Sequence, residues 1–183
     1  FPVFAMDWKD PKNEEVTTGF KEKGFLPEAF VNMLALLGWN NGTEQEIFSL
    51  QELVQAFSIE RVHKSGAKFN YEKAKWFNHE WIKKFSVKDL NGKVKEALGD
   101  ITNKHDDIFL NKVITMVKER CTLLNDFVEQ ANFFFKSPEN IDITAIQPKW
   151  DEKKNLFFVE LMNQYQSEII WNAIELEKVF KEI

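Results

Sequence analysis

The sequence has a single cysteine, Cys121, so it can form no internal disulfide, and nothing in it points to an oxidising compartment. Glycine (7) and proline (5) are scarce over 183 residues. Short β-branched runs bounded by turn residues are few as well, which excludes a sandwich or barrel in favour of long helices. No apolar run approaches the roughly 20 residues of a membrane-spanning helix, and no signal-peptide pattern opens the chain. An intracellular, cytoplasmic protein without membrane contact is expected. The first residue is Phe1 and not Met, which suggests a piece of a longer polypeptide.

Self-contained catalytic chemistry is missing too. There is no Gly-rich phosphate loop and no Gly-x-Ser-x-Gly turn. His63 and His79 lie near each other in sequence, but no cysteine or acid joins them at ligand spacing, so no metal site is expected. Cys121 with the distant His105 is not a nucleophile pair; a buried, inert thiol is the expectation.

What is present is an ordinary globular composition, 44% hydrophobic and 29% charged, which excludes disorder. The expected fold is all-α, with at most one short N-terminal strand over residues 1–6. After a turn at Asp10–Asn13, Glu14–Lys23 reads as a short helix closed by Gly24. Pro27 suits the first turn of the next helix, which Gly38 ends. Ser49 and Glu52 form a Ser-x-x-Glu capping box for a helix reaching about Phe57. Residues 61–68 read as a basic loop, and a helix over Tyr71–Lys84 places Ala74, Phe77, Trp81 and Phe85 on one side. Helical hairpins follow: Ser86–Leu98 ended by Gly99, then stripes on Phe109, Val113, Met116 and Val117, and on Leu124, Phe127, Val128, Ala131 and Phe134. Beyond a turn near Pro138 come Phe157, Leu161, Tyr165 and Ile169. An Asn172–Glu175 cap then starts a last helix with Leu176, Val179 and Phe180 on its apolar side.

The net charge of −5 argues against nucleic-acid binding, but its distribution is uneven. Residues 1–60 carry 4 basic and 10 acidic side chains, whereas residues 61–84 carry 7 basic and 2 acidic. Within this island Arg61, Lys64, Lys73, Lys75 and Trp76 combine flexible cations with an aromatic ring, the pairing that phosphate backbones and bases call for. The alternative is a solvated lysine face with Trp76 in the core. Arg120 is a second lead. It falls where the stripe of Val113, Met116 and Val117 would place an apolar residue. Either the helix breaks between Lys118 and Thr122, with Thr122 as a new N-cap, or an arginine projects from an apolar face. A guanidinium held at a helix junction can reach a base edge; it can equally pair with Asp126.

The segment Lys23-Gly-Phe-Leu-Pro-Glu-Ala-Phe-Val-Asn-Met-Leu-Ala-Leu-Leu-Gly-Trp39 resembles bacterial glutamyl-tRNA synthetases, class I enzymes, just after their signature lysine loop. The likeness continues through Glu46–Leu50, Phe57–Val62, Lys64-Ser65 and Lys73–Asn78, and more weakly through Glu119–Leu123 and Trp171–Ile174. It implies a stem-contact domain at about residues 1–85, then, at about 86–183, the first helical subdomain of the anticodon-binding region. The upstream nucleotide-binding signatures are not in this sequence. ATP and Mg2+ would therefore belong to the parent enzyme, with no cofactor in this piece, which is expected to be inactive alone. The partners implied are tRNA(Glu) and the catalytic domain of the same polypeptide, with the protein a monomer. By motif, Arg61, Lys73 and Trp76 match positions that touch the inner bend or D-arm side of the tRNA, and Lys64 lies in a matching block. His63 departs from the serine usual there. Arg120 matches the arginine that inspects the third anticodon base in members that discriminate glutamate from glutamine tRNA. A helical protein-interaction module with no RNA role is the competing reading.

Overall fold

The computed structural model describes residues 3–64, 66–139 and 142–183. Residues 1–137 form one compact unit and residues 138–183 a second.

In the first unit, a small hairpin pairs β1 (Trp8–Lys9) antiparallel to β2 (Val16–Thr17), Trp8 opposite Thr17. The strand expected over residues 1–6 is thus displaced to 8–9, with Phe1 and Pro2 outside the described residues; the turn at 11–13 stands where expected. The helix expected over 14–23 does not form. Its Glu and Lys residues favour helix, but Val16-Thr17-Thr18 are β-branched, and Val16 and Thr17 pair across the hairpin. Gly19 then lies against the backbone of Met6, where a Cβ would come within 2.1 Å. Residues 20–24 form a turn that ends at Gly24, whose φ of 89° only glycine adopts without strain.

From Pro27 onward the helices follow their caps. α1 (Pro27–Leu36) has proline at its start. α2 (Leu50–Ala56) carries the full reciprocal capping box of Ser49 and Glu52. α3 (Tyr71–Lys84) is capped by Asn70, and α4 (Val87–Leu98) is capped by Ser86 and ends at Gly99. A 3-10 turn at Gly99–Lys104 leads to α5 (Asp107–Val117), capped by Asp106. After a second 3-10 turn, Lys118–Arg120, the chain bends into α6 (Asp126–Phe135). One core is shared by α1, α3, α4, α5 and α6, through Ala29, Trp81, Ile82, Leu90, Val94, Val113, Ile114 and Phe127. A smaller cluster gathers Phe20, Phe25, Met33, Ala74 and Phe77, and a third Trp39, Phe48 and Leu53. Met116 and Val128, expected on the apolar stripes, are exposed; Leu110 and Ile114 join Val113 and Val117 inward on α5, while Phe127 and Ala131 are buried on α6 as expected.

In the second unit, α7 (Ile143–Ile146) runs into a 3-10 turn at Gln147–Lys149. α8 (Glu152–Ser167) then pairs with α9 (Ala173–Glu182). Phe157 packs edge-on against Phe180, and the Tyr165 hydroxyl donates to the Leu176 carbonyl. Ile169, expected on this stripe, lies past the end of α8 and is almost fully exposed. Asn172 caps α9 by accepting from the Glu175 amide.

Candidate nucleic-acid interface

α3 separates its residues cleanly by face. Ala74, Phe77, Asn78, Trp81 and Ile82 are buried, while Lys73, Lys83 and Lys84 are exposed. Trp76 is 37% exposed, so it is no core residue: its ring meets Phe77 edge-on and leaves about a third of the side chain's surface open. The Lys73 ammonium lies 4.4 Å from the centre of the Trp76 ring and 2.5 Å from a Glu46 oxygen. A cation over an indole face gains electrostatically, and the exposed ion pair adds little more. Of the sequence-predicted residues, these two are brought into contact.

Arg61 ends the 3-10 turn Ile59–Arg61, and its Nη1 donates to the Asn41 carbonyl. This segment is fixed by the bridge between Trp39 and Val62 and by the His63 amide donating to the Gly38 carbonyl at 2.8 Å. Because the Asn40 amide nitrogen donates, His63 Nε2 accepts from it at 2.9 Å. Lys64 is exposed; among the described residues it has no hydrogen bond or ion pair, and its neighbour Ser65 lies outside them. No such contact joins Arg61, Lys64 or Arg120 to the Lys73–Trp76 pair.

At Arg120 the first of the two alternatives holds, and the helix breaks. α5 stops at Val117 and the 3-10 turn Lys118–Arg120 follows. Thr122 is not the cap of the next helix. Asn125 holds the N-cap position of α6 without a side-chain bond, and the Asp126 carboxylate reaches back to the amides of Thr122 and Leu123, at 2.8 and 2.9 Å. The acid that could have neutralised Arg120 is engaged by backbone instead. Arg120 is exposed and, among the described residues, has no ion-pair or hydrogen-bond partner.

The turn around Arg120 is itself tied to α3, which spacing alone did not reveal. The Lys118 ammonium donates to the carbonyls of Lys83 and Phe85, at 3.1 and 3.0 Å, and so satisfies the open C-terminal end of that helix. His79 Nδ1 donates to the Cys121 carbonyl at 2.9 Å, and Asn78 Nδ2 to the Thr122 carbonyl at 2.6 Å. Asn78 was detectable as a polar residue midway between Ala74 and Ile82 on the buried face; its partner was not. Cys121 is fully buried, and burial, reinforced by the Asp126 charge, pushes its thiol up to about 12. It is the inert cysteine expected.

Comparison with known proteins matches this geometry to a family. Residues 71–183 match the family described as "Anticodon binding domain", and residues 12–76 match "tRNA synthetases class I (E and Q), catalytic domain". The glutamate–tRNA ligase of Christiangramia forsetii is 42% identical over 99% of this chain, and that of Flavobacterium johnsoniae 40% over all of it. The chain spans 36% of the length of each. A glutamate–tRNA ligase crystal structure from Elizabethkingia meningosepticum superposes with a TM-score of 0.88 at 34% identity, over 98% of this chain and 36% of that one. With the family match covering well over half of its residues, the chain belongs to the anticodon binding domain family.

Proposed function

We propose that this chain is the tRNA-binding portion of a cytoplasmic glutamate–tRNA ligase, placing and inspecting tRNA(Glu) for aminoacylation by the rest of the same polypeptide. The observation that carries this reading is Arg120, an exposed guanidinium without an internal partner on a turn fastened to α3. In this reading residues 1–85 contact the stem and residues 86–183 belong to the anticodon-binding region. Arg61, Lys64 and Lys73 neutralise phosphates and set the register, Trp76 offers a ring for packing, and Arg120 reads the third anticodon base. ATP and Mg2+ are assigned to the remainder of the polypeptide. The protein acts as a monomer.

Filter binding of this chain to a tRNA(Glu) transcript across a salt series tests the proposal. A dissociation constant of about 10 µM or weaker at physiological salt is expected, rising steeply with salt concentration. Combined replacement of Arg61, Lys73 and Arg120 by alanine should flatten the salt slope. An affinity indifferent to salt would instead favour a protein-interaction module.

A further inference from the structure

We infer that Asn78 is the positioning residue of the base-reading turn: it fastens the turn that carries Arg120 to both α3 and the 20–26 segment, and so governs discrimination at the third anticodon base. The inference rests on the base-reading role proposed for Arg120.

Asn78 is completely buried. Its Oδ1 accepts from the Leu26 amide at 2.7 Å, while its Nδ2 donates to the Thr122 carbonyl at 2.6 Å and, at the limit, to the Gly24 carbonyl at 3.5 Å. Rotating the amide by half a turn would set NH2 against an N–H and an oxygen against two carbonyls, so one orientation alone satisfies the group. His79 fixes the neighbouring carbonyl of Cys121. A carbonyl can only accept, so Nδ1 carries the proton in this bond whether the ring is neutral or charged.

The opposite side of the turn is held by backbone. The Leu124 amide donates to the Gly24 carbonyl at 2.8 Å, and Asn125 Nδ2 to the Glu22 carbonyl at 2.9 Å. Gly24 makes this approach possible, because a Cβ there would lie 2.8 Å from the Asn125 nitrogen. Residues 118, 121, 122, 124 and 125 are therefore all tied to α3, its C-cap or residues 22–24, and Arg120 is the one cation of the turn that is left exposed without a partner among the described residues. A planar fork reads a base edge only when its root is held at a defined angle, so loosening the root should erode discrimination before it erodes overall affinity.

The test measures two quantities on the intact chain. One is the ratio of dissociation constants for a tRNA(Glu) transcript and a transcript altered at the third anticodon base; the other is amide hydrogen exchange over residues 118–126. The wild-type ratio is expected to be about tenfold. Arg120→Ala should abolish it without changing exchange, which tests the base-reading role by itself. Asn78→Ser should speed exchange at Leu123 and Leu124 and cut the ratio at least threefold, leaving the salt-dependent affinity common to both transcripts in place. Asn125→Ala, at an exposed position, should do the same to a smaller degree. Faster exchange with an intact ratio, or unchanged exchange in both variants, would overturn the inference. If the wild-type chain shows no discrimination, the base-reading role fails, and the governing role of Asn78 fails with it; exchange then still reports whether Asn78 holds the turn.

Discussion

Of the 24 basic residues only two are arginines, Arg61 and Arg120, and both are exposed on 3-10 turns. A guanidinium keeps its charge and its fork geometry at any physiological pH, so these are the two cations best suited to directional recognition. They differ in freedom: Arg61 spends one nitrogen on the Asn41 carbonyl, whereas Arg120 spends none among the described residues. Just beyond it, Cys121 faces the opposite way chemically. Its thiol is held neutral by burial, so the unfolded chain ionises first as the pH rises. The stability this contributes is whole below pH 9, near the ordinary thiol value, and is lost progressively toward 12. Chemical denaturation between pH 8 and 11 should show a falling midpoint, and Cys121→Ser should fall less steeply over that range. In native buffer at pH 8, alkylation of Cys121 should proceed only at the rate set by unfolding.

Elements were legible in sequence to the extent that their caps are local. Pro27, Ser49, Ser86 and Gly99 each act within one turn of the helix they bound, and those helices stand where the sequence put them. The hairpin at residues 8–17 was illegible because Val16 and Thr17 become a strand only through the partner that pairs with them. The same holds for the candidate interface. Arg120 could be found from a break in local phase, but the groups that hold its turn lie about 40 and 100 residues away. α2 gives the most direct test at this scale. Replacing Ser49 by alanine removes the hydroxyl from the Glu52 amide and should cost about 1 kcal/mol. The Glu52 carboxyl is held below its ordinary range, first by the Ser49 amide and then by the Ser49 hydroxyl. A depressed carboxyl stabilises above its unfolded value and releases that stability as the pH falls through the folded one, so the cap should open in acid. Exchange of the Ser49 amide, followed from pH 6 downward, should lose its protection once Glu52 is protonated.

At the scale of the whole molecule, the role boundary proposed near residue 85 and the packing boundary at 137 do not coincide. Trp81 and Ile82 of α3 are buried in the same core as Leu90, Val94, Val113 and Phe127. A cut between residues 85 and 86 would expose that core on both pieces, whereas a cut after residue 137 leaves it closed. Residues 1–137 expressed alone should melt cooperatively with the helical circular dichroism of a folded domain. Residues 1–85 and 86–183 expressed separately should each lack a cooperative transition. A cooperative melt from the 1–85 piece would show that the smaller aromatic cluster around Phe20 and Phe77 suffices alone.

The bond from Asn125 to the Glu22 carbonyl closes a loop of 103 residues. Loop closure of that length is among the slow, entropically costly events of folding. On a ribosome moving from the N-terminus, the 20–24 turn leaves the exit tunnel about a hundred residues ahead of its partner, and it must wait, with α3 beside it, until residue 125 emerges. The outward posture of Arg120 is therefore a late product of synthesis, assembled only after most of the basic island is already in place.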